Sequence, residues 1–330
     1  MKITILGAGA TGGHFALRLA QAGHEVSVIA RGATLEAIRA RGLQMRVGDS
    51  LHTVPVRAEA DAGVLGAQDL VLVGVKATQL GGVVDSLAPL CGPDTQVIFP
   101  QNGLPWWYGV GIDGDRLPAT WPGRALAPRF LRVLAPEQLI GGSIYSANQL
   151  DAPGLIRNSS PELNRLDLGS VVPGGGDRVA PIRSVFAAAG IEAPEVADIR
   201  AVIWRKLFAN MCGSLVALIT GSPSSVNRRD PMLAALYHRS VGEALRIAAA
   251  HGYDLHASTD PVAMLARIPE HKPSILQDYE AGRPMEIGQI ALAPLAFAQV
   301  AGVDVPILST ICALATRLAE DRGLYVPEEG

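Results

Sequence analysis

The chain has 330 residues, enough for two domains, and 48% of them are hydrophobic against 18% charged, which suits well-filled cores with much buried helix. A net charge of −3, with no block of like charges, leaves no basic face for nucleic acid. Cys91, Cys212 and Cys312 are few and far apart and match neither a disulfide framework nor a zinc pattern, so a reducing cytosol is the expected compartment.

The first elements carry the most information. An apolar run over 2–6 predicts a strand, and Gly7-Ala8-Gly9-Ala10-Thr11-Gly12 follows at once. An amphipathic stretch over 14–21 predicts a helix ended by Gly23, and 25–30 reads as a second strand. Strand, G-x-G-x-x-G, helix, strand is the order of a dinucleotide-binding βαβ unit. In such a unit Gly7 permits the tight turn and Gly9 lets a pyrophosphate approach the backbone. Gly12 lets the helix pack close, and the helix N-terminus offers N–H groups to phosphate. The tip of the second strand carries Ala30 and Arg31, where NAD-specific sites usually place an acid. A guanidinium there can pair with a 2′-phosphate, so the reading is NADP(H), against a merely solvated arginine.

The βα rhythm continues. Residues 70–75 form an unbroken apolar run, as a central parallel strand requires, with Lys76 just past its end, where open α/β sheets bind ligands. The next strand is 96–99, followed by Pro100-Gln101-Asn102-Gly103. Residues 105–136 are rich in Pro, Gly, Trp and Arg and read as a long irregular insertion. Strands are expected over 139–146 and 154–158, and a helix over 178–189 capped by Gly190. From about 201 the period becomes helical, over 201–219, 231–251, 284–301 and 306–322. Pro231, Pro284 and Pro306 stand near the starts. The expected division is a dinucleotide-binding domain over 1–198 and an all-helical domain over 199–330.

The segments 207–227 and 287–303 carry no charge, yet polar residues and prolines interrupt them, so buried core helices are expected and no membrane span. The chain starts directly on a strand, with no leader segment or cleavage site, which again points to the cytoplasm. The seven histidines have no metal-ligand spacing, and no metal is expected.

Lys206, Asn210 and Ser214 are spaced i, i+4, i+8, one polar stripe on an otherwise apolar helix. A lysine there is either a proton donor to a carbonyl oxygen or a helix-edge residue that reaches water. Ser274, Asp278 and Glu286 form a second cluster, which on spacing alone reads first as helix-capping and solvated groups.

Taken together, the glycine loop, Arg31, Val75-Lys76, Gln101-Asn102-Gly103, Lys206-Leu207-x-x-Asn210, Ser274-x-Leu276-Gln277-Asp278 and Glu286 resemble the ketopantoate reductase family. The resemblance runs in order from Met1 to about Pro306. It implies an N-terminal Rossmann doubly wound sheet with an all-helical C-terminal domain, a 6-phosphogluconate dehydrogenase-like plan with the active site in the cleft between them. It implies reduction of 2-dehydropantoate to (R)-pantoate with NADP(H) in pantothenate biosynthesis. By the same resemblance Lys206 is the general acid, with Asn102 and Lys76 near the nicotinamide ribose and the reacting centre. Asn210 and Glu286 bond the substrate hydroxyl, and Ser274 helps hold its carboxylate. The chain departs from the family pattern at Ser214, where a second asparagine is common, and in Trp106-Trp107-Tyr108, which are expected to reshape the pocket towards a bulkier substrate. Two other readings stand beside it: a reductase of another 2-oxo acid or opine-type substrate, and a non-catalytic NADP(H) sensor. The expected partner is a small 2-oxo acid, with a homodimer as the working assembly.

Overall fold

The computed structural model describes residues 1–112, 117–268 and 270–327. The chain divides into two compact units, Met1–Gln101 with Leu126–Ile199, and Asn102–Ala125 with Arg200–Gly330.

The strands of unit 1 are Lys2–Leu6 (β1), Glu25–Ile29 (β2), Leu43–Val47 (β3), Ser50–Val54 (β4), Arg57–Glu59 (β5), Leu70–Val73 (β6), Gln96–Phe99 (β7), Leu139–Ile144 (β8), Asn148–Ala152 (β9), Leu155–Asn158 (β10) and Leu166–Ser170 (β11). Its helices are Ala10–Gln21 (α1), Gly32–Arg41 (α2), Val84–Leu87 (α3), Ala127–Phe130 (α4) and Gly176–Ala188 (α5). Seven strands form one sheet in the order β11-β8-β7-β6-β1-β2-β5, parallel except for β11 against β8. Every residue of β6 and β7 is buried, as central strands of a parallel sheet are, which is why β6 reads as an unbroken apolar run. In register, Ile3 lies between Val26 and Leu70, so β1 is central and delivers the glycine loop to the middle of the sheet edge.

A second sheet, β4-β3-β10-β9, packs on the outer side of α1. Of its strands only β10 was visible in the sequence, because β4 and β9 are largely exposed or half-buried and carry no apolar alternation. Gly13 marks the contact: a Cβ there would lie 2.6 Å from the Ile156 Cδ1. His14 is buried beside it, with the Asn158 amide 3.4 Å from its Nδ1. Burial, and secondarily Arg18, pushes its pKa down to about 3.

Unit 2 contains no strand among its described residues. Its helices are Ile199–Ala209 (α6), which begins on the last residue of unit 1, Leu215–Thr220 (α7), Val226–Arg229 (α8), Pro231–Ala250 (α9), Pro261–Ala266 (α10), Ser274–Glu280 (α11), Ala293–Val300 (α12) and Pro306–Asp321 (α13). The helices expected over 201–219 and 284–301 are not continuous. A π turn, Asn210–Ser214, separates α6 from α7, and another, Gly288–Leu292, precedes α12. Helical geometry starts only at Ile287, so Glu286 stands just before the helix rather than in its first turn. Ile199–Thr220 is long and apolar enough to cross a membrane, but 67% of its most apolar window is buried within the fold, which makes it a core helix.

The expected boundary at 198/199 left the segment after Gln101 in the first domain, whereas 102–125 belongs to the helical unit. Among its described residues the expected irregular insertion has only short helical turns between bends. Trp106–Gly109 is a 3₁₀ turn with Trp106, Trp107 and Tyr108 at most 2% exposed. The Tyr108 hydroxyl accepts a 2.7 Å hydrogen bond from Trp204 Nε1, and Arg200 Nε donates to the Tyr108 carbonyl at 2.9 Å. Phe297 meets the Tyr108 ring edge-on with centroids 5.1 Å apart. Burying these rings is what draws the segment into unit 2.

Candidate active site

The glycine loop of unit 1 has the shape its sequence implies. Gly7 takes φ +95°, a left-handed conformation open to glycine at little cost. A Cβ on Gly12 would sit 1.9 Å from the Gly7 carbonyl oxygen, so only glycine lets α1 approach the turn this closely. A Cβ on Gly9 would meet nothing within 4 Å, which leaves that face of the backbone open. Gly9 is the N-cap of α1, no side chain caps the helix, and its first turn contains no acid. Ala8 is buried, while Ala10 and Thr11 are half-buried in the first helical turn. A helix end of this kind attracts phosphate through its free N–H groups and its dipole, so these residues fit a dinucleotide pyrophosphate. Arg31 is the exposed N-cap of α2, directly after β2, where a 2′-phosphate would lie.

Two further residues complete this edge. Gly74 was not singled out from sequence; a Cβ there would lie 2.7 Å from the Gly12 Cα, so β6 and the loop need a glycine on each side. Gln101 is 5% exposed and donates through Nε2 to the carbonyls of Val73 at 2.8 Å and Val75 at 3.1 Å. It thereby fixes the end of β7 to the end of β6. Lys76, half-buried, follows Val75 and caps the 3₁₀ turn Ala77–Gly82.

In unit 2 the expected polar residues come from separate segments that meet. Lys206 is half-buried in the last turn of α6, and Asn210 and Ser214, also half-buried, open and close the π turn. That turn packs against α11, which begins at Ser274, and against the π turn Gly288–Leu292, two residues after Glu286. Glu286 is 7% exposed, and Asn102 Nδ2 donates to its Oε2 at 3.3 Å. The Asn102 segment is held there by its neighbours. Leu104 N–H donates to the Gln289 carbonyl at 3.0 Å, and Gly103, at φ +77°, has no room for a Cβ, which would lie 2.5 Å from the Gln289 backbone. Ser274 itself is exposed at the start of α11. Asp278, one turn on, is an anchor: Arg283 Nε donates to its Oδ1 at 2.9 Å, bracing the chain that leads to Glu286.

Trp106, Trp107 and Tyr108 are buried, and the Tyr108 ring packs edge-on against Trp204 and Phe297 of unit 2, so these side chains do not present an exposed aromatic wall. The three cysteines are free, and burial pushes each thiol up to about 12, which leaves no thiolate for chemistry.

A dinucleotide-shaped glycine turn on a parallel sheet, joined in one chain to a helical unit with a lysine–asparagine–serine stripe, defines a nicotinamide-dependent oxidoreductase. Comparison with known proteins gives the family. The model of ketopantoate reductase PanE/ApbA matches residues 3–107, and that of its C-terminal domain matches residues 198–319. The chain belongs to this family, whose cofactor is NADP(H). A 2-dehydropantoate 2-reductase of Mesorhizobium japonicum is 40% identical over 98% of this chain and 100% of its own length. A solved structure from Ralstonia solanacearum MolK2, described as a candidate ketopantoate reductase, is 35% identical, with a TM-score of 0.87 over 98% of this chain and 99% of that one. The fold is shared further: D-mandelate dehydrogenase, solved with NADH and anilino(oxo)acetate, superposes with a TM-score of 0.83 at 21% identity, over 98% of this chain and 100% of that one.

Proposed function

We propose that the protein catalyses the NADPH-dependent reduction of 2-dehydropantoate to (R)-pantoate, a cytoplasmic step of pantothenate biosynthesis. The observation that carries this reading is the convergence on the π turn Asn210–Ser214 of the segments bearing Ser274 and Glu286. Family membership and the relative at 40% identity support it.

In this reading the loop from Gly7 to Gly12, with Arg31 and Lys76, holds the dinucleotide. When bound, NADPH supplies a hydride to C2 of the 2-oxo acid. As that carbon is reduced, the carbonyl oxygen gains negative charge and must take a proton. Lys206 donates it from its ammonium, so hydride and proton together make the alcohol and a neutral amine remains to be reprotonated by water. Ser274 helps hold the carboxylate. Asn210 and Glu286 bond the terminal hydroxyl, and Asn102 orients the Glu286 carboxylate through its 3.3 Å hydrogen bond. Ser214 extends the polar stripe. A bulkier 2-oxo acid had its motive in Trp106, Trp107 and Tyr108, and their burial removes it.

Glu286 provides the test of substrate identity. A buried carboxylate built to accept a hydroxyl penalises an analogue without one. The wild type is expected to prefer 2-dehydropantoate to the same acid lacking the terminal hydroxyl by about ten- to a hundredfold in kcat/KM. Glu286→Ala is expected to erase most of that preference while still reducing the analogue slowly. A wild type that treats both acids alike refutes the pantoate assignment and leaves a reductase of another 2-oxo acid.

A further inference from the structure

Asn227 is a buried amide. It is 0% exposed, its Nδ2 donates to the Gly213 carbonyl at 3.1 Å, and its Oδ1 has no hydrogen-bond partner among the described residues. A buried acceptor left unpaired is destabilising, whereas leucine, of similar size, would carry no such cost. Helix stability therefore does not account for an asparagine here. What the amide does is hold the middle of the π turn that carries Asn210 and Ser214. Such turns depart from regular helical register and recur at functional sites.

The next residue holds a different segment. Arg228 NH1 donates to the carbonyls of Ala266 at 3.0 Å and Ile268 at 3.2 Å, and its NH2 pairs with Glu270 Oε1 at 2.5 Å. Arg229 takes the other carboxylate oxygen of Glu270 at 2.6 Å. From the far side, Gln277 Nε2 donates to the Lys272 carbonyl at 2.8 Å. The chain leading to Ser274 is thus pinned before and after the segment between. An exposed ion pair adds little stability, but a guanidinium fork on three acceptors fixes a direction.

We propose that α8 is a positioning bracket for the substrate groups: Asn227 sets the turn bearing Asn210 and Ser214, and Arg228 sets the approach to Ser274. This rests on the proposed 2-oxo acid reductase activity. Asn227 and Arg228 touch no reactant; they act through the residues they hold. The two should leave different kinetic marks. The turn continues the helix of Lys206, so its displacement misaligns the proton donor and lowers kcat. The Ser274 segment meets the carboxylate in ground and transition states alike, so loosening it raises KM.

The test uses the full-length enzyme with saturating NADPH and 2-dehydropantoate. Asn227→Leu is expected to lower kcat about tenfold with a smaller rise in KM through Asn210, since small misplacements of a reacting group cost up to about a hundredfold. Arg228→Met is expected to raise KM about tenfold with kcat within about twofold, and Arg228→Lys to recover part of the loss. Both should bind NADPH as the wild type does. Should Asn227→Leu fail to bind NADPH, Asn227→Ser, whose hydroxyl is too short to reach Gly213, replaces it and must show the same loss of kcat. Variants with wild-type constants, or with the same change in both constants at both positions, overturn the bracket. A wild type that reduces no 2-oxo acid overturns the proposed function instead.

Discussion

The glycine loop of unit 1 and the polar stripe of unit 2 reach function by different routes. In the loop, backbone decides: Gly7 supplies a positive φ, Gly12 and Gly74 supply closeness, and a change of one atom at Gly12 collides at 1.9 Å. In the stripe, side chains decide, and they are aimed by helices that leave regular geometry at two π turns. A site made of backbone is written in a short stretch of chain. A site made of aimed side chains depends on residues as distant as Asn102 and Glu286, which meet across 184 positions.

The sharpest way to break this comparison is at Lys206. Lys206→Ala is expected to lower kcat by about 10² to 10⁴, the usual contribution of a positioned acid. NADPH affinity should hardly move, since Lys206 belongs to unit 2 and the glycine loop, Arg31 and Lys76 belong to unit 1. Single-turnover rates and a fluorescence titration of NADPH measure the two separately. A kcat within a few-fold of wild type would make Lys206 a structural lysine and end the proposed mechanism.

A smaller effect is expected in unit 1. Arg31→Ala should weaken NADPH by about ten- to a hundredfold and leave NADH nearly unchanged, because only NADPH has a 2′-phosphate for the exposed guanidinium to meet. Equal losses for both dinucleotides would show that Arg31 acts on α2, which it caps, rather than on the phosphate.

The same contrast explains what could be read from the chain. The strands β1, β2, β6 and β7 and the loop between β1 and α1 follow from apolar runs and glycine spacing, which are local. The sheet β4-β3-β10-β9 was mostly hidden, since its outer strands bury little. Lys206, Asn210 and Ser214 announce themselves by spacing. The π turn beneath them does not, because its register is set by tertiary partners such as Asn227. Glu286 could be placed only through the family resemblance, since its partner Asn102 is remote in sequence. The aromatic run 106–108 misled for the same reason: three large rings beside a site motif look like a pocket wall until all three are found buried, with Trp204 and Phe297 against Tyr108.

The smallest expected effect bears on that last point. Tyr108→Phe removes the hydroxyl that accepts from Trp204 Nε1 and leaves a buried N–H without that partner. The cost should be about 1–3 kcal/mol of stability, read as a fall of several degrees in the melting temperature of unit 2. The ring itself stays, so its edge-on contact with Phe297 persists. Because Tyr108 is 1% exposed and packed inside the helical core, kcat and the KM for 2-dehydropantoate should remain at wild-type values. The two readings of the aromatic segment therefore separate cleanly in one variant. Loss of thermal stability with unchanged kinetics fits a core staple that ties 102–125 to unit 2. A shifted KM or an altered preference among 2-oxo acids, at unchanged melting temperature, would instead return Tyr108 to the pocket and reopen the choice of substrate.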